Sequence, residues 1–476
     1  AFDASAVVLL QFLVLLLPRD VAFMPIIYAS PWLTTAALVA FGFRVSRRAL
    51  AMLAAIVTIS VLVALLGPGS PLNVAVSVMT YGSALLLVLA TGRPYQDRLV
   101  RAWSRGLLLV AGFLLAYGLA QMVRHGFPLA LPYRDFSPDV FAGPYGRGGP
   151  RLVTMLFVPA LFWVSVATLR RPRLRVRDVA AVVALVFAVV APGSNATILA
   201  FAAAVAAFLA GRAVLTYVRA VAQRASPTVR TRVRATVAWL GLLAVVGLAS
   251  TWLLLGSGSY VQRSLSRFTS QPQSGQVSPK AVVAWDTLTK LPVDAPYQPA
   301  VGLGLGNYSS WSQLLLSGVY VERFLYGRVS ALPVSVNEVS WRHVLVHISP
   351  EAYERYGRFY IESVATQPWF AWQSLYAEIG VVGLLLLAVA LAPRLHRLTI
   401  GSHDPERLRI LKLTLGLYLW FAVFMGFVDN YFEYPWLLAP LLLGLVLVPR
   451  RNAVIAVIAA DAADAAEDGD RVARSD

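Results

Sequence analysis

Two histidines and one glutamate are the side chains in this sequence best suited to proton transfer. His343 and His347 are four residues apart, so a helix through them would carry both on one face. Either imidazole could act as a general base toward an acceptor hydroxyl. Glu378, in WQSLYAEIGVVG at the start of an apolar run, is a further candidate, because ionisable groups are costly there. The alternatives are an ordinary surface pair of histidines and a Glu378 that pairs with an arginine. No third ligand stands at a helical spacing, so no metal site is predicted.

Basic side chains outside the main arginine clusters could bind an anion. They are Arg147 and Arg151 in GPYGRGGPR, Arg263 and Arg267 in SYVQRSLSRF, and Lys280 in SGQVSPK. The planar guanidinium group pairs with two phosphate oxygens at once, which suits it to hold a diphosphate and to stabilise the charge of a departing one. The alternative is that each basic side chain is an interface anchor reaching toward lipid headgroups.

A third segment, VGLGLGNYSS, places Gly302, Gly304 and Gly306 at alternate positions and Asn307 directly after them. This spacing has some likeness to a dinucleotide-binding fingerprint. The strand that should precede such a fingerprint and the helix that should follow it are both missing. By itself the segment therefore predicts a flexible turn, and no nucleotide cofactor is expected.

The composition indicates which solvent surrounds these residues. Hydrophobic residues make up 58% of the chain and charged residues 14%, and the mean hydropathy is +0.67. A soluble surface could not be built from this mixture, so much of the chain must face lipid. The net charge of +17 does not indicate nucleic-acid binding, because the basic residues lie in short clusters between apolar runs. The absence of cysteine excludes disulfides and thiolate chemistry.

Apolar runs long enough to cross a bilayer recur along the chain, which predicts an all-α integral membrane protein with about twelve transmembrane helices. The predicted spans are 4–18, 22–43, 50–67, 73–92, 106–123, 152–169, 179–192, 196–217, 236–256, 373–392, 412–429 and 432–449.

Arginine clusters follow every second predicted span, which is the pattern of short cytoplasmic loops. They include Arg44, Arg47, Arg48, Arg93, Arg98, Arg101, Arg105, Arg170, Arg171, Arg394, Arg397, Arg407, Arg409, Arg450 and Arg451. We therefore expect a multi-pass protein of the bacterial inner membrane with both termini in the cytoplasm and its active site on the periplasmic face.

The loops divide the chain into four regions. Residues 1–256 carry spans one to nine and a periplasmic loop at 124–151, and residues 373–451 carry the last three spans. Residues 257–372 form a loop far longer than a connection requires, and its aromatic content predicts a folded periplasmic subdomain. The acidic, alanine-rich tail at 452–476 is predicted to be cytoplasmic and disordered.

The order of these features resembles the O-antigen ligase and polymerase superfamily of bacterial glycosyltransferases. The resemblance rests on the twelve spans, the large outer loop between spans nine and ten, and two short motifs. One motif is G-x-G-x-G-N, here Gly302 to Asn307, and the other is A-E-x-G-x-x-G, here Ala377 to Gly383.

The resemblance implies a metal-independent transfer without a cofactor. A glycan would move from undecaprenyl diphosphate, with inversion at the sugar carbon, onto the hydroxyl of a glycan or lipid-glycan acceptor. In the family, outer-face arginines bind the diphosphate. Here this role would fall to Arg147 or Arg151 and to Arg263 or Arg267, with Lys280 where many members have another arginine.

The chain departs from the family at one catalytic position. Members often carry a His-Asn pair about nine residues before the motif glutamate, where this chain has Trp369 and Phe370. His343, His347 or Glu378 could supply the missing base, so ligase and polymerase activity both remain open. One competing class is a transporter or flippase of lipid-linked glycans, which should show an internal repeat and charged residues deep in its spans, and neither feature is evident in the sequence. The other is a purely structural membrane partner, which would explain the hydrophobicity but not an ordered outer loop that carries arginines.

Overall fold

The described residues are almost entirely helical, as expected for an all-α protein. The computed structural model describes residues 3–18, 23–82, 87, 90–91, 96–124, 141–145, 149–171, 174–192, 195–222, 279–308, 338–344, 371–398, 404–428 and 434–449. Among these residues the only extended pairing is a short antiparallel ladder between β1 (Arg44–Val45) and β2 (Ala90–Thr91).

The helices of the first half are α1 (Ala4–Val14), α2 (Met24–Ala40), α3 (Arg47–Leu66), α4 (Pro71–Ser77), α5 (Asp97–Arg124), α6 (Gly149–Leu169), α7 (Val176–Val190) and α8 (Asn195–Ala222). A π-helical turn, Val78–Gly82, extends α4, and a 3-10 turn, Gly143–Tyr145, precedes α6. The helices of the second half are α9 (Pro279–Thr289), α10 (Leu291–Asp294), α11 (Gln298–Val301), α12 (Glu338–His343), α13 (Ala371–His396), α14 (Glu406–Met425) and α15 (Pro435–Leu447).

Five of the described helices, α3, α5, α6, α13 and α14, are long and apolar enough to cross a membrane. They overlap predicted spans 50–67, 106–123, 152–169, 373–392 and 412–429, so the expectation of long apolar helices at these positions is confirmed. Shorter apolar helices lie in several of the other predicted spans. The predicted span 236–256 is outside the described residues, and the total of twelve stays a prediction.

Most of the described helices pack into one apolar bundle around Trp103 of α5. Trp103 is fully buried, and its ring makes edge-to-face contacts with Phe12 of α1 and Trp163 of α6. Its indole N–H donates to the carbonyl oxygen of Pro440 in α15 at 2.8 Å, so the only polar atom of the ring is paired. The helices that contribute to this core are α1, α2, α5, α6, α7, α8, α14 and α15.

Three of the arginine clusters meet at one end of the bundle. Arg407 in the first turn of α14 pairs with Asp97 in the first turn of α5. Arg170, which follows α6, lies within electrostatic reach of Glu406 and Arg409 of α14. These contacts join regions distant in sequence and agree with a shared membrane side for the clusters, as the charge pattern predicts.

A smaller group of elements packs beside α3 and the first turns of α13. It contains α4, α9, α10, α11 and α12, and two small apolar cores hold it together. One core centres on Leu303 and Tyr308, and the other on Leu305 and Ile379. Residues 279–308 and 338–344 are the parts of the long predicted loop that the structure describes outside α13. The tail at 452–476 lies outside the described residues.

Candidate functional site

The two motifs that carry the family resemblance are bound to each other. The backbone N–H of Leu303 donates to the carbonyl oxygen of Ala377 at 2.9 Å, and the N–H of Gly304 donates to that of Glu378 at 2.9 Å. The side-chain carboxylate of Glu378 accepts the N–H of Gly306 at 2.9 Å and that of Tyr308 at 3.3 Å. We call this assembly, Gly302–Tyr308 with Ala377–Gly380, the glycine joint.

The joint forms where α13 is interrupted. Gly380 has a φ of 60° and a ψ of −173°, so the helical backbone breaks at this residue. A break leaves the carbonyl groups before it available to partners outside the helix, and buried carbonyls need such partners. The glycine loop supplies them, because its N–H groups reach the carbonyls of Ala377 and Glu378. An interrupted helix at membrane depth is tolerated when it is buried in protein in this way.

Close approach of the two backbones explains why glycine stands at Gly302 and Gly380. A Cβ atom on Gly302 would lie 2.1 Å from the carbonyl oxygen of Glu378, and one on Gly380 would lie 2.5 Å from the carbonyl carbon of Ala300. Both glycines also have positive φ, as do Gly304 and Gly306. The loop from Gly302 to Tyr308 is buried along its whole length and is bound to α13 by hydrogen bonds, so it is a packed turn.

Asn307 connects the joint to the turn between α3 and α4. Its side-chain oxygen accepts the N–H of Ser70 at 2.7 Å and an amide N–H of Asn73 at 3.1 Å. Its own amide nitrogen lies 3.4 Å from the carbonyl oxygen of Ser70. Asn307 is completely buried. The motif asparagine therefore joins the glycine loop to the turn at Ser70 and to the first turn of α4.

A polar chain fixes the far side of the joint to α9. The hydroxyl groups of Thr287 and Tyr308 are 2.5 Å apart, and the side-chain amide of Gln373 donates to the Thr287 hydroxyl at 2.6 Å. Burial raises the pKa of Tyr308, so this phenol stays neutral. Gln373 lies one turn before Ala377, and the network thus ties α9 to the segment of α13 that precedes the break.

His343, one of the predicted bases, lies at the end of α12 and pairs with a carboxylate. Its Nε2 atom is 3.0 Å from Oδ2 of Asp294, the last residue of α10. Arg342 donates to the same oxygen at 3.2 Å. Both hydrogen bonds hold the pKa of Asp294 below its ordinary value, and the one from Arg342 has the larger effect. His343 is 2% exposed, and its Nδ1 atom has no hydrogen-bond partner among the described residues.

The glycine joint and the histidine pair are neighbours through a shared apolar core. Val344, which follows His343, packs in the core formed by Leu303, Tyr308 and Ala377. Leu291 and Ala295, at the two ends of α10, belong to the same core. Asp294, His343 and the two motifs are thereby carried by one packed group of elements.

The carboxylate of Glu378 contacts the backbone of the glycine loop, which the sequence did not indicate. It is 1% exposed, and two backbone N–H groups bind its carboxylate. These two hydrogen bonds give Glu378 an anchoring role for the glycine loop, and its roles as a base or as an arginine partner stay predictions.

The predicted phosphate-binding residues are only partly covered by the structure. Arg151 lies in the first turn of α6 and is half-buried. Lys280 lies in the first turn of α9. Arg147, Arg263, Arg267 and the second candidate base, His347, lie outside the described residues, so convergence of the basic groups stays a prediction. Within the described ranges, no cluster of three or more metal-ligating side chains occurs.

Two residues of this region were not predicted from the sequence. Asp294 is 49 positions from His343, and no spacing rule links a carboxylate in LPVDAPY to that histidine. Asn73 lies inside a predicted span, 234 positions from the asparagine it contacts. The only available signal was its type, since an amide within an apolar run needs a polar partner.

Comparison with known protein families and with curated protein sequences finds no match to this chain in either.

Proposed function

We propose that the protein is a metal-independent inverting glycosyltransferase. In this proposal a glycan moves from an undecaprenyl-diphosphate donor to an acceptor hydroxyl at the outer face of the bacterial inner membrane. The protein would act as an O-antigen ligase or as a polysaccharide polymerase.

One observation carries the proposal: the two motifs behind the family resemblance interlock. Their hydrogen-bonded atoms belong to residues as much as 74 positions apart, as in Leu303 and Ala377. Chance matches to two short patterns carry no expectation of contact. Their union around one buried carboxylate supports the view that they belong to a single inherited structural element.

The chemistry asked of such a site fits the residues beside the joint. Transfer to a hydroxyl needs a group that accepts the hydroxyl proton, and His343 has an unpaired ring nitrogen among the described residues. The donor needs cations for its diphosphate, which we assign to Arg147, Arg151, Arg263, Arg267 and Lys280. Membrane lipids would present the donor in the plane of the bilayer.

The test is a transfer assay with purified protein, an undecaprenyl-diphosphate oligosaccharide, a panel of glycan acceptors and EDTA. We expect product without added metal. Alanine variants at Arg147, Arg151, Arg263 and Arg267 should each lower the rate, because a lost charged hydrogen bond to the leaving group costs about 1.5–3 kcal/mol, roughly 10- to 150-fold. Arg44→Ala, which removes an arginine of the opposite membrane side, is the matched control and should keep its rate. Product formation that survives all four changes would refute the site assignment.

A transporter or flippase of lipid-linked glycans is the second candidate, because α13 is interrupted and discontinuous helices are common in transporters. In those proteins the broken ends face a substrate, whereas here the chain's own loop binds the carbonyls before the break. Proteoliposomes that move the labelled donor across the bilayer, without changing it covalently, would favour this candidate.

A further inference from the structure

We propose that Asp294 is the positioning residue of the general base, fixing the ring of His343 so that Nδ1 is the nitrogen that receives the acceptor proton. This inference rests on the proposed function. It adds a residue and a specific atom to the reaction.

The hydrogen-bond geometry decides which nitrogen carries the proton. An ionised carboxylate can only accept, so the 3.0 Å contact between Asp294 and Nε2 of His343 requires a hydrogen on Nε2. The neutral imidazole has one N–H only, and Nδ1 is then left with a free lone pair. Asp294 is kept ionised by its second donor, Arg342, at 3.2 Å.

Burial gives this lone pair its significance. Nδ1 is inaccessible to solvent and has no hydrogen-bond partner among the described residues. Leaving a buried polar atom unpaired costs about 1–3 kcal/mol, so such atoms are uncommon without a reason. A nitrogen that binds a substrate hydroxyl during turnover supplies that reason.

The surroundings hold the ring in place. Val344 is fully buried next to His343, in the same core as Leu291 and Ala295, which flank Asp294 at the two ends of α10. The other charged pair nearby joins Asp286 of α9, a helix that contacts α12, to Lys290 at 2.9 Å, directly after α9. Each described carboxylate around the ring therefore has a cationic partner, and Asp294 is the one directed at the imidazole.

In the transfer step the acceptor oxygen forms a bond to the anomeric carbon of the donor sugar, and the bond from that carbon to the diphosphate oxygen breaks. Its electron pair leaves with undecaprenyl diphosphate. The proton of the acceptor hydroxyl passes to Nδ1, and the resulting imidazolium is stabilised by the Asp294 carboxylate until the proton is lost as the products leave the site.

The first measurement needs no substrate, and its one variant serves only to assign the signals. In protein labelled with 15N-histidine, the ring signals of His343 are assigned by their loss in His343→Gln. We expect Nε2 to resonate as a protonated and Nδ1 as an unprotonated nitrogen at neutral pH. The opposite tautomer in the wild-type protein would overturn the inference, whatever its activity.

The second measurement is the transfer assay on Asp294→Asn, Asp294→Glu and Arg342→Gln. Asp294→Asn is expected to lower kcat by about 10²–10⁴ with little change in KM, because a general base acts in the transition state. Asp294→Glu keeps the carboxylate and should recover part of that loss. Arg342→Gln removes the exposed second donor of Asp294 and leaves the contact between Asp294 and the imidazole in place, so the rate should fall less than about fivefold.

The outcomes separate the two proposals. Transfer by the wild-type protein with an unchanged kcat in Asp294→Asn would reject the positioning role and leave the proposed function intact. No transfer by the wild-type protein with any donor and acceptor pair would reject the proposed function itself.

Discussion

The helix bundle around Trp103 and the glycine joint are both buried, yet different contacts hold them together. In the bundle, large apolar side chains fill the space between helices, and few polar atoms take part. In the joint, backbone groups of two distant segments bind each other and one carboxylate, and there is almost no side-chain volume between them. The apolar bundle therefore tolerates many side chains of similar volume, whereas the joint tolerates only glycine where its two backbones come closest.

The largest expected effect is that of a methyl group placed in the joint. Gly380→Ala forces an alanine into positive φ and into contact with the carbonyl of Ala300, which together cost roughly 3 kcal/mol or more. Gly112→Ala is the control, because a Cβ on that glycine of α5 meets nothing within 4 Å and should stabilise the helix by about 0.5–1 kcal/mol. The free energy of unfolding, measured by SDS titration in detergent micelles, should separate the two variants. Equal stabilities would contradict the tight approach described for Gly380.

Neutralising the carboxylate of the joint should have the next largest effect. Glu378→Gln replaces an acceptor of two backbone N–H groups by an amide whose NH₂ faces one of them. We expect a loss of about 1.5–3 kcal/mol in the free energy of unfolding, the usual value of a hydrogen bond to a charged group. Glu406→Gln changes an exposed glutamate at the other end of the molecule and should stay within about 0.5 kcal/mol. If Glu378→Gln were as stable as Glu406→Gln, the carboxylate would not hold the joint.

A volume-conserving change in the bundle should matter less than either change in the joint. Leu411 of α14 is fully buried in the apolar core, and Leu411→Met keeps a similar side-chain volume and an unbranched Cβ. The expected cost in the same titration is under about 1.5 kcal/mol. A loss comparable to that of Gly380→Ala would show that the bundle is as demanding of side-chain identity as the joint.

The smallest expected effect is a pH dependence at Asp294. Its pKa is lower in the folded protein than in the unfolded chain, so its contribution to stability is fully present above the unfolded pKa of about 3.9. That contribution fades as the pH falls through the still lower folded pKa. The difference in thermal midpoint between wild type and Asp294→Asn should therefore vanish in strong acid, once Asp294 is protonated in both states. A difference that persists there unchanged would contradict the lowered pKa of Asp294.

The bundle and the joint also differ in how much of each can be predicted from the sequence. Helices such as α3, α5 and α6 were placed correctly, because a membrane requires long apolar runs and any such run is visible in the sequence. The joint was not predicted, because most of its hydrogen bonds join backbone atoms. Every residue has the same backbone atoms, so residue types do not reveal such contacts. Only the glycines indicated an unusual backbone there, and glycine is as typical of a flexible turn as of two backbones in close contact.

The candidate site follows the same division. His343 was predicted from its type and from the chemistry of hydroxyl acceptors, whereas its partner Asp294 depends on how α10 and α12 meet. Glu378 was noticed for its cost in an apolar segment, but its anchoring partners, the N–H groups of Gly306 and Tyr308, are invisible in a reading of residue types. The interruption of α13 at Gly380 was likewise missed, since the span was predicted as continuous.

The separation of 72 positions between Gly306 and Glu378 sets an order of assembly during synthesis. At about 5–20 residues per second, the glycine loop leaves the ribosome roughly 4 to 15 s before its anchoring carboxylate. Through that interval the loop's amides have no permanent acceptor from α13. The nascent protein can complete this region only when α13 has been delivered to the bilayer, which makes insertion of that helix the event that locks the preceding segment.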